Sequence, residues 1–495
     1  MKRNKLHSGT SGDAILLMLI KLVTIALGLV VTRLLSEHLS VYDYGTYSQI
    51  LLVVSTVTSL TILGMMDGVN YFYCREPDQQ KRESYISTIF ALQCVISTAA
   101  GCVVMALSAP LCTHFDNPDV GQLLVFAAVL PLLQNLLSMM QILLVSVGKA
   151  RLLAVRNFVV SVLRLIVVIV VVALVRNVAV ILLTTVVLDV AQILLFGMIL
   201  GKNDCAMGLQ AVKVKLFGEI FRYCAPMAVF TVVSTLNRDL DKYLISLMTD
   251  TETLAVYANA SKVLPFDIIM TSFTTVLIPQ ITRFVAEKNW DKAASLYKVF
   301  LEIAYVSTGI LCCAALAVSP QLMQLLYSEK YLSGLPVFCI YVGVDLLRFT
   351  NITLVLSAAG KTKSLMFLGV GTLAANAALN VVLFNLMGIA GPAAATLLTT
   401  FGSGMLILLL GAKELRTKLR CFFDLKFLAL FAGESLAAVA VLYLAQKWMA
   451  GVGVHYLIIL VAVGAVYGIG MLVLNGKRLL RALKTVNQVT KREDG

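Results

Sequence analysis

Charge is scarce in this chain. Of its 495 residues only 14% are Asp, Glu, Lys or Arg and 59% are apolar, against about 25% charged and about 45–50% apolar in a soluble domain. A soluble fold is excluded, because it has nowhere to hide that much apolar surface. No GxxxxGK[ST] loop is present, which argues against an ATP-driven pump in this chain. No CxxC pair occurs, and the ten cysteines lie scattered, mostly inside apolar runs (Cys94, Cys102, Cys312, Cys313, Cys339), as small core residues do. The four histidines, His7, His38, His114 and His455, are too far apart to suggest a metal cluster or a His-based catalytic pair. Strands of about ten residues alternating polar and apolar, the mark of a membrane barrel, are also missing. Although the net charge is +13, the bases sit in loops rather than among aromatics on a soluble face, so nucleic acid is not the expected partner.

What the chain does have is apolar runs of 18 residues or more from end to end. Each is long enough to cross about 30 Å of hydrocarbon as a helix, and helix is forced because lipid offers backbone groups no partner. Fourteen spans are predicted, at 13–35, 45–66, 84–108, 120–146, 152–175, 177–199, 219–246, 254–280, 296–318, 333–358, 364–386, 389–412, 427–446 and 454–475. Lys2, Arg3 and Lys5 precede the first without a small-residue cleavage site after it, so it reads as an uncleaved span. Counting bases within about a turn of a span end, one set of loops, with both termini, carries thirty Lys and Arg and the other set only four. That split predicts both ends in the cytoplasm.

Two landmarks recur at nearly one offset. Gly148-Lys149 before span 5 returns as Gly360-Lys361 before span 11, and Tyr44-Gly45-Thr46-Tyr47 is echoed by Ala255-Val256-Tyr257. A six-span repeat follows, and because six is even both halves enter from the same side. The expected architecture is an all-α polytopic membrane protein of about fourteen helices: a lobe at 1–200, a second lobe at 201–412, two extra helices at 413–476 and a basic cytoplasmic tail at 477–495.

Several of these landmarks also carry a likeness. With Leu35-Ser36, Asn237-Arg238-Asp239-Leu240-Asp241-Lys242, Pro279, Gly360-Lys361-Thr362-Lys363, Asn376, Asn380 and Gly388-Ile389-Ala390-Gly391-Pro392-Ala393, the sequence resembles the polysaccharide flippases of the multidrug, oligosaccharidyl-lipid and polysaccharide exporter superfamily over about residues 10–475. It departs at Ala255 and at Ala260-Ser261-Lys262, where the family commonly has Gly and Ala-Tyr-Lys. The resemblance implies a fourteen-span exporter of lipid-linked oligosaccharide in the cytoplasmic membrane, with membrane lipids and assembly proteins, such as a polysaccharide polymerase, as its partners, and no cofactor.

Such a cargo has a diphosphate that lipid rejects, so its carrier needs a wet, cationic hollow. Six bases fall inside spans: Lys21, Arg164, Arg238, Lys242, Lys262 and Arg348. Each costs about 2.5–3.5 kcal/mol at a helix centre and persists only with a partner or water. Arg238, Asp241 and Lys242 at i, i+3 and i+4 share a helix face, either to engage diphosphate or to form an internal Arg238–Asp241 pair. Lys21 and Arg164 have no acid at i+3 or i+4. Asp345 and Arg348 have the spacing of a self-satisfied pair. Asp189 and Asp267 are the acids placed for proton or cation coupling, with simple pairing as the other reading. An exporter of organic cations in the same superfamily remains an alternative, and it would want acids to dominate the cavity. A membrane glycosyltransferase or polymerase would need a large extramembrane loop, and the longest here are under about 20 residues.

Overall fold

The computed structural model describes residues 11–147, 149–201, 208–262, 264–267, 281, 283–285, 287–359 and 361–491. Among them the chain is helical and contains no strand. In order, the helices are α1 (Ser11–His38), α2 (Val41–Ile62), α3 (Met65–Arg75), α4 (Gln79–Ala106), α5 (Ser108–His114), α6 (Pro118–Ala127), α7 (Leu130–Ser146), α8 (Ala150–Leu174), α9 (Val178–Gly201), α10 (Phe217–Met248) and α11 (Thr251–Ala260). They continue with α12 (Trp290–Ala317), α13 (Ser319–Tyr327), α14 (Leu335–Leu347), α15 (Leu354–Ala358), α16 (Thr362–Met387), α17 (Ala390–Glu414), α18 (Leu425–Gly451) and α19 (Tyr456–Lys491).

Ten of the described helical stretches are long and apolar enough to cross a membrane, or eleven if the pair α6 and α7, bent by 41°, is one span. Two further helices, α1 of 28 residues and α10 of 32, cover the first and seventh predicted spans. Residues 268–280 of the eighth lie outside the described residues. The protein is thus a multi-pass membrane protein, and the outward faces of α8 and α9, with Leu163, Ile166, Val187 and Leu194 exposed, suit contact with acyl chains.

Besides span 4, bent between α6 and α7, three predicted spans are broken. Span 2 continues to Arg75, but Leu63 and Gly64 take left-handed backbone at φ 44° and 70° and divide it into α2 and α3. Span 10 passes through a 3-10 turn at Arg348–Asn351. There the Asn351 amide donates to the Thr400 carbonyl at 2.9 Å and accepts from the Ser403 hydroxyl at 2.7 Å. Gly404 lets this turn approach, since a Cβ there would fall 1.9 Å from Thr350 Oγ1. Span 8 was expected as one helix over 254–280. Instead α11 ends at Ala260, the Lys262 N–H turns back to the Asn259 carbonyl at 3.2 Å, and Pro265, which has no N–H, opens a 3-10 turn ending at Asp267.

The chain divides into two compact units, residues 1–239 with 246–255, and residues 240–245 with 256–495. In the first, Met65, Val69, Ile86, Ile89, Met139 and Phe196 form the core that ties α3, α4, α7 and α9 together. In the second, α12 is the central post. Phe300, Leu301 and Ile303 are buried there with Phe431 of α18 and Tyr467 and Met471 of α19, so the two C-terminal spans pack directly on it. Gly309 of α12 makes room, because a Cβ would come within 2.7 Å of the Phe431 ring. Arg478 extends this contact. It lies over the Phe427 ring at 3.7 Å, donates to Asp424 at 2.8 Å and pairs with Glu302.

Candidate functional site

In the first unit, α2, α7, α8 and α9 line an open-sided cavity of about 390 Å³. Its charged lining is Arg156 and Arg164 from α8 and Asp189 from α9, and its polar lining includes Gln134, Gln141 and Gln192. The helix period explains the grouping: Arg156, Val160 and Arg164 recur at i, i+4 and i+8 on one face of α8, and Asp189 and Gln192 at i and i+3 on one face of α9. Arg156 stacks on the Phe196 ring at 4.6 Å, donates to Asn157 at 2.7 Å and donates to the Gln192 carbonyl oxygen. The Gln192 amide then donates to Asp189 Oδ1 at 3.2 Å and to the Leu188 carbonyl at 3.0 Å. One glutamine therefore faces its oxygen to the guanidinium and its nitrogen to the carboxylate. Opposite, the Thr58 hydroxyl donates to Gln134 at 3.3 Å.

The same unit holds a buried polar cluster where Tyr44-Gly45-Thr46-Tyr47 begins α2. The Asn117 amide donates to Thr46 at 2.8 Å and Gln49 at 2.9 Å, reaches Thr251 at 3.4 Å, and accepts from Tyr42 at 2.9 Å. Gly45 is required by the approach of the chain at Thr251, whose carbonyl oxygen would lie 2.2 Å from a Cβ.

The predicted site residues are dispersed. Lys21 falls in α1, and its side chain lies outside what the structure describes. Arg164 and Asp189 share the cavity. Arg238 belongs to the first unit and Asp241 and Lys242 to the second. Arg238 pairs with its neighbour Asp239 at 3.0 Å, the guanidinium largely exposed, rather than with Asp241 as the i, i+3 spacing suggested. The long side chain reaches round the helix, while Asp241 is buried and accepts from the Tyr257 hydroxyl at 2.8 Å and from the Tyr341 hydroxyl. Lys242 is half-buried and Lys262 is exposed at the end of α11. Arg348 Nε stands 2.9 Å from Asp345 Oδ1, and Asp345 also accepts the Leu264 N–H at 3.2 Å. The Asp267 side chain lies outside the described set. Asn376 and Asn380, which belong to the likeness, are buried on α16, and neither Asn380 Oδ1 nor Nδ2 has a hydrogen-bond partner.

Arg156 and Gln192 were missed. Arg156 counted among the loop bases because it stands within about a turn of the start of span 5, yet α8 begins at Ala150 and places it inside the helix. The i, i+4, i+8 recurrence with Arg164 was the available signal.

The chain is thus a polytopic membrane protein whose helices line a polar hollow carrying two arginines and one aspartate among its described lining. A family model described as polysaccharide biosynthesis protein matches residues 30–336, so the chain belongs to the polysaccharide biosynthesis protein family. Among curated proteins no sequence matches. Solved structures share the fold, among them the following three. One titled "Lipid II flippase MurJ, inward closed conformation" is 15% identical, with 94% of this chain and 100% of that one covered at a TM-score of 0.75. An inward-facing multidrug resistance MATE family transporter of the MOP superfamily is 13% identical, covering 78% and 94% at 0.65. A MOP superfamily transporter from Pyrococcus furiosus, whose title reports reverse polarity of the binding pocket, is 12% identical, covering 81% and 94% at 0.57.

Proposed function

We propose that the protein is a flippase that carries a lipid-linked oligosaccharide, a polyprenyl-diphosphate sugar, across the cytoplasmic membrane by alternating access, in the synthesis of a cell-surface polysaccharide. The observation that carries this reading is the cavity holding Arg156 and Arg164. Each guanidinium offers paired donors in the geometry that phosphate oxygens accept, and an arginine inside a membrane helix signals a functional path. Family membership supports the polysaccharide pathway, and the fold shared with a lipid II flippase supports an isoprenoid-linked cargo. The thirty-to-four split of bases supports a cytoplasmic position for both termini. No bond is made or broken. Lys21, Arg238 and Lys242 are assigned to the diphosphate's path outside this cavity, and Asp189, Asp241, Asp267 and Asp345 are the acids available for coupling.

The organic-cation exporter is the competing reading, given the shared fold with multidrug transporters. It calls for acids in excess, whereas here two arginines face one aspartate. The test is translocation of a fluorescent polyprenyl-diphosphate sugar by the reconstituted protein in vesicles. Arg156→Ala and Arg164→Ala should each reduce the rate at least about tenfold. Unimpaired transport by both variants removes the proposed site, and efflux of organic cations without glycolipid movement removes the flippase reading.

A further inference from the structure

We propose that Asp189 is the resident counter-ion of the arginine cavity, a carboxylate that holds the place of the cargo's diphosphate and yields it by taking up a proton when cargo docks. The inference rests on the flippase reading and says how that cavity releases what it binds.

Among the described residues the charged and titratable groups facing Asp189 are few. From α8 come Arg156 and Arg164, from α2 comes Tyr47, and α7 contributes Gln134, Ser138 and Gln141, all neutral. The lining takes no residue from α6, which also packs on α9. The described lining therefore holds two positive charges and one negative. A diphosphate esterified at both ends brings two more negative charges, which leaves an excess of one if Asp189 stays ionised and none if it is protonated. In surroundings walled by membrane helices an excess charge is expensive and a carboxyl beside a second anion gains its proton readily. Docking and protonation of Asp189 thus favour each other, and by linkage each raises the affinity of the other by the same factor.

Gln192 is the structural carrier of this exchange. Its amide oxygen accepts from Arg156 and its amide nitrogen donates to Asp189 at 3.2 Å, so the carboxylate and the guanidinium are tied through one side chain. When a phosphate oxygen takes Arg156, the glutamine loses its donor, and the protonated carboxyl supplies a new one. When cargo leaves, the proton returns to water and the carboxylate again neutralises part of the arginine pair. Without that internal competitor, two unopposed arginines would hold diphosphate too tightly for rapid turnover, since affinity tuning acts chiefly through the off-rate.

The experiment measures binding of a short-chain prenyl-diphospho-N-acetylglucosamine to the full-length protein in neutral-lipid nanodiscs, where no anionic phospholipid competes, between about pH 4 and 8. The probe is a diester with no ionisation near neutrality, so its own charge stays fixed. The sign follows from linkage: Asp189 holds its proton to higher pH in the loaded state than in the empty one. Wild-type affinity is therefore greatest at the acid end and falls by up to about tenfold per pH unit between those two values. Asp189→Asn should bind about tenfold or more tightly than wild type at neutral pH, show a flat profile, and turn over more slowly. Asp189→Glu keeps the charge and should restore the slope. A flat wild-type profile, which needs no variant to fold, overturns the inference, as does an Asp189→Asn profile that matches wild type. If instead Arg156→Ala and Arg164→Ala leave binding unchanged, or wild type binds no probe, the flippase reading itself falls. Nanodiscs containing phosphatidylglycerol separate the two sources of phosphate: a melting temperature that rises in proportion to that lipid, while the diester binds in neither kind of nanodisc, assigns the cavity to a lipid headgroup and overturns both.

Discussion

Gly45→Ala tests whether the chain at Thr251 is held as closely against α2 as the structure places it. The added Cβ would sit 2.2 Å from the Thr251 carbonyl oxygen and 2.7 Å from its Cγ2. Because the first of these is a main-chain atom, no rotamer change relieves the clash, and the backbone must part by at least about 0.8 Å to reach 3.0 Å. Overpacking of this kind costs about 1–3 kcal/mol. The separation also breaks the two long hydrogen bonds from Asn117 and Gln49 to Thr251, at 3.4 and 3.3 Å, worth at most about 0.5–1.5 kcal/mol each. A loss of about 2–4 kcal/mol follows, or roughly 4–16 °C at about 2–4 °C per kcal/mol. The assay is thermal unfolding in detergent, with Gly28→Ala as the control. Gly28 lies within α1 with nothing within 4 Å of a Cβ, and alanine there should be neutral or up to about 1 kcal/mol stabilising. If the two variants melt together, the close approach at Thr251 is wrong.

Other perturbations test the second unit. Arg478→Met leaves Glu302 and Asp424 without their shared guanidinium. Since all three groups are partly exposed, the cost falls to roughly 1–3 kcal/mol, below that of a fully buried pair, and adding Glu302→Gln should recover part of it. Hydrogen bonds from Arg478 and from the Phe427 N–H hold Asp424 below the usual carboxylate range. Its contribution is therefore present above the ordinary carboxylate pKa and is lost only as pH falls through the lowered value, below about 4; a melting temperature that drops already between about pH 7 and 5 would contradict it. Tyr341→Phe removes one of two tyrosine donors from the buried Asp241 and should cost about 1–3 kcal/mol in the same assay, while an unchanged melt would mean the hydroxyl does not serve that carboxylate. Gly404→Ala drives a Cβ into Thr350 and should destabilise by about 1–3 kcal/mol; Thr350→Ser cannot rescue it, because Thr350 Cβ itself would lie 2.7 Å away.

Hydropathy made the membrane class and most spans readable, because each helix must satisfy its own backbone in lipid and so advertises itself as a long apolar run. Breaks within spans were not readable. Leu63 adopts left-handed backbone without any sequence signal of its own, and the turn at Arg348–Asn351 depends on Thr400, Ser403 and Gly404 some fifty residues away. Arg164 and Asp189 were legible as charges that lipid would not tolerate unpaired. Their sharing of one cavity was not, since it depends on how α8 and α9 pack together and against α2 and α7. Helical spacing misjudged Arg238, because Cβ positions decide which short side chains meet, whereas a guanidinium on a flexible stem reaches the adjacent Asp239. Arg478 read as one base of a surface tail, yet α19 runs unbroken from Tyr456 to Lys491 and turns that one side chain toward Glu302.

Asp189 also sets a conflict between stability and affinity. Each arginine in the cavity carries an insertion cost of about 2.5–3.5 kcal/mol, offset by water, by Gln192 and by the single carboxylate. A cavity of about 390 Å³ has room for about a dozen waters at roughly 30 Å³ each, so solvent alone keeps the arginines ionised, but Asp189 removes one of the two unbalanced charges. Replacing it by Asn should therefore lower the stability of the empty protein while tightening its grip on diphosphate. The two effects are separable in one measurement. Added prenyl-diphospho-sugar at about 100 times its dissociation constant stabilises any binding-competent variant by about 2.7 kcal/mol, so at a fixed probe concentration the tighter-binding Asp189→Asn should gain more melting temperature than wild type. If the variant is destabilised and the probe restores it no better than it does wild type, Asp189 is a packing residue and the cavity's charge balance is not what governs cargo.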